Sequence, residues 1–259
     1  MPGSCYLLLP NVYLNQRKFT TLNVPNKYFQ FKKFRIDQSQ TAMKVTTEGA
    51  ILGAIATVEN PRRILDIGAG TGLISLMLAQ RYERAVIDAV EIDNQAVADA
   101  RFNFDQSPWK ERLHLFEADV RKWDSPSRYD MIVSNPPFFK GSLKSTNVQK
   151  NTAIHNDLLS QKDLVDIASR LLADQGKFVV IYPEFESIQL TEIAKNFGLY
   201  VEKQIDIYDH KDASILRRIV TFGRQSSSVD KSIFIIKREK RGAYTEQFVD
   251  LMHPFYLYL

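Results

Sequence analysis

The sequence contains a single cysteine, Cys5, among its 259 residues. An internal disulfide is therefore excluded, and so is a metal site built from several cysteines. No apolar run approaches the roughly 20 residues that a membrane-spanning helix needs. Leu7-Leu8-Leu9 has neither a basic segment before it nor a long apolar core, so we expect no signal peptide. These absences favour a cytoplasmic protein without membrane contact and without a bound metal.

Strong charge imbalance, repeats and low-complexity segments are also missing. Lys and Arg number 34 against 30 Asp and Glu, which leaves a net charge of only +4. Hydrophobic residues make up 44% and charged residues 25%, both close to globular averages. A chain of this length can bury a substantial core. We expect an N-terminal extension with short strands over residues 1–36 and one main domain over residues 37–259. No feature indicates an obligate protein partner, so a monomer or weak homo-oligomer is expected.

Helix and strand patterns alternate through the middle of the chain, which predicts an α/β fold with a mostly parallel sheet. Asn94 is a plausible N-cap and Gly198 a plausible C-cap. Segments 199–208, 215–222 and 231–237 look β-like, and residues 245–252 could form a closing helix. Helices are predicted over residues 47–58, 73–81, 94–106, 161–173 and 184–197, with strands that begin near Ile64, Ala85, Leu113, Tyr129 and Lys177.

A glycine-rich motif lies between the first predicted strand and its helix. Asp66-Ile67-Gly68-Ala69-Gly70-Thr71-Gly72 follows the short apolar run Ile64-Leu65 and precedes a helical pattern. Glycines at alternate positions permit a tight turn and let the backbone approach a ligand closely. Strand, glycine turn and helix are typical of the start of a nucleotide-binding α/β domain.

The next feature is a carboxylate at the end of each of three successive strands: Asp66, Glu91 and Asp119. Glu91 is placed to accept two ribose hydroxyls, and Asp119 to accept from an adenine amino group. A nicotinamide dinucleotide is the rival ligand, but its pyrophosphate would be repelled by Asp66 and its usual turn is G-x-G-x-x-G. The acidic strand ends therefore favour S-adenosylmethionine, which carries an ammonium and a sulfonium.

Asn135-Pro136-Pro137-Phe138 follows the apolar run 129–134 and is the most informative segment of the chain. Both prolines fix φ and lack an N–H, so the backbone there leaves regular structure at a rigid kink. The Asn135 side-chain oxygen and the Pro136 carbonyl can then face outward beside the ring of Phe138. This set of groups could bind a planar group that carries an NH₂, although a plain strand-ending turn is the simpler alternative.

Basic and aromatic residues alternate in two other stretches. Residues 27–35 contain three lysines, an arginine and four aromatic rings, and residues 237–244 hold Lys237, Arg238, Lys240, Arg241 and Tyr244. Cations suit phosphates and rings suit unstacked bases, so RNA contact by at least one stretch is expected. The alternative for the first is a hairpin whose aromatics enter the core.

These motifs resemble the bacterial S-adenosylmethionine-dependent N6-adenine methyltransferases. The similarity is closest to the enzymes that modify adenosine 37 of a valine tRNA, next to the anticodon. The glycine turn and the Asn-Pro-Pro-aromatic segment occur in many methyltransferases, whereas the blocks Ala42-Met43-Lys44-Val45 and Gln106-Ser107-Pro108-Trp109 are more specific. Two departures are Phe138, where the family has tyrosine, and the divergent segment 141–157.

The resemblance implies a Rossmann-like class I methyltransferase fold, with a twisted seven-stranded sheet, helices on both faces and an antiparallel edge. It also implies a tRNA substrate and S-adenosylhomocysteine as the cofactor product. The catalytic residues implied are Asn135, Pro136, Pro137 and Phe138. Cofactor binding is assigned to Lys44, Thr47, Asp66, Gly68, Gly70, Gly72, Glu91, Ile92, Asp119, Val120 and Asn135. RNA binding is assigned to Lys32, Lys33, Arg35, Arg217 and Arg218.

Several alternatives stay open at this point. The acceptor could be guanine N2 in ribosomal RNA or a protein glutamine amide, since both present an NH₂ on a planar carbon. A non-catalytic RNA-binding module with a vestigial cofactor site is a more remote alternative. His155 could act as a base, but a loop or capping role is the simpler interpretation. Segment 139–156, rich in Lys, Ser, Thr and Asn, is a candidate lid.

Overall fold

The computed structural model describes residues 27–41, 44–125, 127–137 and 159–259. Within these ranges the strands are β1 (Tyr28–Gln30), β2 (Arg35–Asp37), β3 (Arg63–Ile67), β4 (Val86–Glu91), β5 (Leu113–Glu117), β6 (Tyr129–Ser134), β7 (Leu172–Tyr182), β8 (Tyr200–His210), β9 (Ile215–Gly223) and β10 (Asp230–Lys237). The helices are α1 (Thr47–Ile55), α2 (Leu73–Arg81), α3 (Asn94–Asp105), α4 (Gln161–Leu171), α5 (Glu184–Lys195) and α6 (Glu246–Met252).

Strands β3 to β10 form an eight-stranded sheet in the order β10-β8-β9-β7-β6-β3-β4-β5. All run in the same direction except β9, which is antiparallel to both β7 and β8. The predicted class, a Rossmann-like methyltransferase fold with a mostly parallel sheet, is confirmed. The sheet has one strand more than predicted because β10 pairs in parallel with β8. The antiparallel strand β9 consequently lies inside the sheet, while the strand at that edge is β10.

Helices cover both faces of the sheet, as a mostly parallel sheet requires. On one face Leu52 of α1 and Met77 of α2 join a core that also contains residues of α3 and α6. On the other face Leu164 of α4 and Leu190 of α5 belong to a second core. The apolar residues of α4 show the cause: Leu164, Ala168 and Leu171 recur at helical spacing and are all buried.

Several predicted boundaries need correction. The N-cap of α3 is Asp93, not Asn94, because the Asp93 carboxylate accepts a hydrogen bond from Ala96 N at 2.8 Å. Strand β7 begins at Leu172, whereas we predicted a helix up to residue 173 and a strand from Lys177. Gly198 has φ +69°, and the Leu199 N–H donates to the Ala194 carbonyl at 3.0 Å, which ends α5 as the glycine predicted.

The β1–β2 hairpin packs against the C-terminal segment of the chain. Phe31 and Ile36 are fully buried, and Phe31 forms an isolated antiparallel bridge with Tyr256. Lys32 N donates to the Phe255 carbonyl at 2.7 Å. Phe31 and Phe34 of the hairpin therefore enter the core, whereas Tyr28 stays exposed. The division into an extension and a main domain stays a prediction, since residues 1–26 lie outside the described ranges.

Every strand from β3 to β10 except β9 runs toward the same edge of the sheet, which we call the carboxyl edge. Ligands bind beyond this edge in open α/β sheets. No helix in the described ranges has the length and apolar character that crossing a membrane would take.

Candidate active site

A cavity of about 500 Å³ opens at the carboxyl edge, around the ends of β3, β4 and β6. Its volume falls within the range of small-molecule sites. The lining includes five of the eight predicted cofactor residues that are not glycine, and two of the three motif glycines. The wall is formed by Thr41, Ile67, Gly68, Gly70, Val90, Glu91, Ile92, Asp93, Ala96, Ala118, Asp119, Val120, Arg121, Ser134, Asn135, Pro136, Pro137 and Leu159.

The three motif glycines have two different functions. Gly68 and Gly70 adopt φ +72° and +58°, and no atom lies within 4 Å of the position that a Cβ would take. Their backbone therefore faces the open cavity, where a ligand can approach closely. Gly72 has φ +80°, but a Cβ there would collide with the ring of Phe104. Gly72 allows α3 to pack against the turn and does not line the cavity.

Glu91 fixes the glycine turn to the end of β4. One carboxylate oxygen accepts from Gly70 N at 2.8 Å, and the other accepts from Ile92 N at 2.8 Å and Asp93 N at 2.9 Å. A carboxylate offers about four acceptor positions, so one remains for a ligand hydroxyl. Ile92 is 56% exposed at the cavity wall, where its side chain can pack against a flat ring.

Asp66 lies behind the glycine turn, not in the cavity wall. Its Oδ2 accepts from Ser75 Oγ at 2.7 Å and from Ser75 N at 3.1 Å. Its Oδ1 is buried and has no hydrogen-bond partner among the residues that the structure describes. Burial raises the pKa of Asp66 to about 7, against the opposing effect of the Ser75 hydrogen bonds. A buried acceptor without a donor is costly, and this cost adds to the desolvation that disfavours the ionised form of Asp66.

Asp119 is held by Arg121, a cavity residue that the sequence did not single out. Arg121 Nε lies 2.8 Å from Oδ1 of Asp119, and Arg121 Nη2 lies 2.8 Å from Oδ2. The Arg121 hydrogen bonds lower the pKa of Asp119, so it stays ionised at neutral pH. The spacing Asp-x-Arg after a strand end was a signal available in the sequence. Val120 between them is buried and contributes apolar surface.

Thr41 enters the cavity wall on a short strap that crosses α3. Buried Asp99 accepts from Thr41 N at 2.8 Å and from Gln40 N at 3.1 Å. Asn103 Nδ2 donates to the Asp37 carbonyl at 2.8 Å and to the Thr71 carbonyl at 2.9 Å. The strap is therefore tied to both α3 and the glycine turn. Sequence reasoning missed it, although an acid and an amide four residues apart in a buried helix stripe were visible.

Lys44 and Thr47, both predicted to hold the cofactor, do not line the cavity. The Lys44 ammonium donates to the carbonyls of Gln38 and Thr41, at 2.9 Å in the case of Thr41. Lys44 thus links the two ends of the strap, at Gln38 and Thr41, through its ammonium group. Thr47 is the first, exposed residue of α1, and its neighbour Thr46 caps that helix.

Asn135 stands at the cavity wall directly after β6, with Pro136 and Pro137 beside it. Its Nδ2 lies 3.5 Å from the point where a Cβ on Gly49 of α1 would be. Among the described residues no hydrogen bond occupies the Asn135 amide or the Pro136 carbonyl. Both acceptors are therefore available at the cavity. Phe138, His155 and the candidate lid 139–156 lie outside the described residues.

The predicted RNA-binding residues are spread over the molecule. Lys32 and Lys33 are exposed at the hairpin turn, and Arg35 lies over the Tyr28 ring at 4.8 Å. Arg217 pairs with Glu48 of α1 at 3.4 Å. Lys32 thus lies beside the segment after α6, where it contacts His253, and Arg217 lies beside α1.

Arg218, by contrast, is buried beneath α5. It pairs with Asp206 through an Nε–Oδ1 contact of 2.5 Å and with Glu184 at 3.3 Å. Arg217 and Arg218 are successive residues of β9, so their guanidinium groups point to opposite faces of the sheet. This structural position argues against an RNA contact by Arg218 and corrects that assignment. In the described part of the chain, no group of three or more His, Cys, Asp or Glu is arranged to hold a metal ion.

Known proteins resemble this chain in both sequence and fold. The family model described as methyltransferase small domain matches residues 48–204. A curated protein of Dyadobacter fermentans named tRNA1(Val) (adenine(37)-N6)-methyltransferase is 40% identical over 237 residues, covering 90% of this chain and 98% of its own. A protein of the same name from Trichodesmium erythraeum is 40% identical over 233 residues, covering 88% and 97%. A crystal structure of a predicted O-methyltransferase from Agrobacterium tumefaciens superposes with a TM-score of 0.61 at 18% identity, covering 80% of this chain and 95% of that one, which supports the fold alone.

Proposed function

Since this chain belongs to the family of tRNA1(Val) (adenine(37)-N6)-methyltransferases, we propose that it methylates the exocyclic N6 amine of adenosine 37 in a valine tRNA. The methyl donor is S-adenosylmethionine. One observation carries the proposal: Asn135 and Pro136, directly after β6, lie in the wall of the same cavity as the glycine turn, Glu91 and Asp119. The oxygens that would accept from the target amine and those that would accept from the nucleoside of the cofactor therefore face the same cavity.

The cavity residues fit this cofactor chemically. Asp66 lies behind the glycine turn, where its carboxylate, when ionised, attracts a cationic ligand in the cavity through space. Glu91 retains acceptor capacity for hydroxyls, and ionised Asp119 can accept from an amino group. Gly68 and Gly70 leave room for the ligand to pass close to the backbone. When bound, S-adenosylmethionine supplies an electrophilic methyl group on a sulfonium.

Asn135 and Pro136 orient the acceptor amine. An exocyclic amine on a purine is a weak nucleophile, because its lone pair is delocalised into the ring. Two carbonyl oxygens that each accept one N–H favour a pyramidal nitrogen and direct its lone pair into the cavity. Positioning and fixed dipoles of this kind account for much of an enzyme's rate enhancement. The proton that the amine loses can pass to solvent, because Pro137, next to Asn135 and Pro136, is exposed.

The proposal is tested with Asn135→Ala in single-turnover assays on a valine tRNA transcript. We expect kcat to fall by about 10²-fold or more, while calorimetry shows S-adenosylmethionine binding within about twofold. The control is Asn196→Ala, which removes an exposed amide at the end of α5. An unchanged turnover in Asn135→Ala would remove Asn135 from the chemistry.

The product identifies the acceptor among the remaining alternatives. Methylated RNA is digested to nucleosides and separated by mass spectrometry. N6-methyladenosine supports the proposal, and N2-methylguanosine indicates a ribosomal RNA acceptor. Methylation found in protein and not in RNA indicates a glutamine amide. A calorimetric titration without cofactor binding would favour a non-catalytic RNA-binding module.

A further inference from the structure

The two basic stretches of the sequence lie at opposite ends of the sheet. The hairpin turn contacts the chain near the end of α2: Lys32 Nζ donates to the His253 carbonyl at 2.6 Å, and Gln80 Nε2 donates to the Pro254 carbonyl at 2.9 Å. Gln80 is in the last turn of α2, while the first residue of α2 follows the glycine turn. At about 1.5 Å per residue the hairpin turn lies roughly 12 Å from the carboxyl edge.

The second basic stretch lies beyond the carboxyl edge, at the extended ends of β8 and β10. These strands pair in parallel, with His210 opposite Lys237. The last residue of β6, Ser134, lies in one row with Gln204 of β8 and Lys231 of β10, so both strands continue six residues, about 20 Å, past the end of β6. The turn after β8 carries Lys211, and β9 starts there with Arg217 near its beginning. The chain that leaves β10 carries three further cations. We call these residues the edge cations: Lys211, Arg217, Arg238, Lys240 and Arg241.

Most edge cations are exposed, and their acidic partners are weakly held. Arg238 faces Glu246 at 3.6 Å, with side-chain exposures of 63% and 90%. Exposed pairs of this kind contribute little and exchange readily for a phosphate. Lys211, Lys240 and Arg241 form no ion pair among the described residues. Asp209, Asp212 and Glu239 lie on the same turns; Asp209 is occupied by Lys237 at 2.8 Å.

The turn after β10 holds its cations in a fixed arrangement. Arg238 N donates to the Ala243 carbonyl at 2.9 Å, and Gly242 N donates to the Glu239 carbonyl at 2.9 Å. Arg241 has φ +70°, a backbone conformation that residues other than glycine rarely adopt. A cation is therefore kept where glycine would fit more easily, which is a feature that often marks function.

The edge cations lie at increasing distance from Asn135, in the order in which their strands follow β6 in the sheet. From β6 the sheet continues through β7, β9 and β8 to β10, and four strand spacings span about 19 Å. With the extension of about 20 Å along the strands, the turn after β10 lies roughly 28 Å from the end of β6. A nucleic-acid strand advances about 3.4 Å per nucleotide along its axis, so this distance matches about eight nucleotides. An RNA that places one base at Asn135 can therefore lay the neighbouring phosphates over Arg217, then Lys211, then the turn.

We propose that the edge cations bind the phosphodiester backbone of the substrate RNA beside the target base, and that the cations of the β1–β2 hairpin, Lys32, Lys33 and Arg35, do not. The inference rests on the proposed function, because an RNA substrate is assumed. Charge supports it, since phosphates need cations and base recognition at a single flipped nucleotide leaves the backbone as the main source of affinity.

The test compares two variants that each remove three positive charges. The edge variant carries Lys211→Ala, Lys240→Ala and Arg241→Gly; the glycine also relieves the positive φ. The hairpin variant carries alanine at Lys32, Lys33 and Arg35. Both are assayed for KM toward the tRNA and for kcat from 50 to 200 mM salt, with the S-adenosylmethionine Kd and thermal melting as controls.

For the edge variant we expect KM for the tRNA to rise about tenfold, and the slope of log KM against log salt to fall by about 2. Its kcat and cofactor Kd stay unchanged. The hairpin variant stays within about twofold of the wild type. Equal losses in both variants would indicate a general charge effect and overturn the proposal, as would a loss confined to the hairpin variant. If the edge variant melts earlier, the exposed single substitution Lys240→Glu decides by the same criteria.

The two hypotheses fail in different ways. A wild-type protein that forms no N6-methyladenosine refutes the proposed function, and filter binding of the same RNA then still decides the surface. A wild-type protein that is active, together with an edge variant whose KM and salt slope are normal, refutes the surface alone.

Discussion

We predict that Asp66→Asn abolishes the pH dependence of S-adenosylmethionine binding between pH 5 and 7. The Asp66 carboxyl is fully buried, and desolvation raises its pKa to about 7 even though Ser75 donates two hydrogen bonds to it. A cationic ligand favours the ionised carboxylate. Below pH 7 the protein must therefore lose a proton from Asp66 before it binds the cofactor tightly.

The magnitude follows from the fraction ionised. At pH 6 about one-tenth of Asp66 is ionised, so the apparent Kd is about tenfold weaker than at high pH; at pH 5 it is about 100-fold weaker. Asparagine carries no titratable charge, so its Kd stays level over this range. At pH 8 the variant binds more weakly than the wild type, because the charge has been removed.

The stability of the ligand-free protein should change in the opposite sense. The pKa of Asp66 in the folded protein, about 7, exceeds the ordinary value of 3.8 that applies to the unfolded chain. The group therefore stabilises the fold fully below pH 3.8, and this contribution, about 4 kcal/mol, is lost as the pH rises through 7. Asp66→Asn avoids that loss but buries an unpaired NH₂ at a cost of about 1–3 kcal/mol. We expect it to melt above the wild type at pH 8 and to lose this advantage toward pH 4.

Calorimetric Kd values and thermal melts at pH 5, 6, 7 and 8 test both statements. Glu117→Gln is the matched control, because Glu117 is an exposed carboxylate at the end of β5 on the same edge. A wild-type Kd that is level from pH 5 to 7 would refute the reasoning. So would a variant that keeps the wild-type slope, since another group would then carry the titration.

Two further predictions concern packing around the site. Asp99→Asn should weaken cofactor binding about tenfold or more, because the strap over α3 loses charge-assisted hydrogen bonds, while exposed Asp105→Asn on the same helix has no effect; calorimetry on both variants checks this, and equal Kd values contradict it. Gly72→Ala combines positive φ with a collision against Phe104 and should lower the free energy of unfolding by about 2–4 kcal/mol. Gly198→Ala shares the positive φ but meets open space, so about 1 kcal/mol is expected in denaturant titrations; equal losses would mean that the collision is relieved elsewhere.

The strand ends were predictable because local patterns determine them. Buried apolar runs followed by a carboxylate or by Asn-Pro-Pro mark where β3, β4 and β6 stop, and parallel strands bring these ends to one edge. Glu91, Asp119 and Asn135 accordingly meet at one cavity. The family and the fold class were confirmed from motifs of the same local kind.

Contacts between distant segments could not be predicted in this way. Thr41 reaches the cavity through Asp99, which is 58 residues away in sequence. Lys44 looked like a cofactor ligand but instead closes the strap, and Arg218 looked like an exposed cation but is buried with Asp206. In each case the partner lies on another element, so the residue's own neighbours in sequence carry no signal.

The sequence by itself determined the order of strands and helices, the glycine turn, and the type of chemical group at each strand end. These depend on backbone conformation and on local apolar periodicity, which a short window contains. Only the tertiary structure decided which groups face the cavity, which cations remain at the carboxyl edge, and that Asp66 lies buried with one oxygen unpaired. Burial and charge pairing arise from packing between elements, and that packing is set by the whole chain.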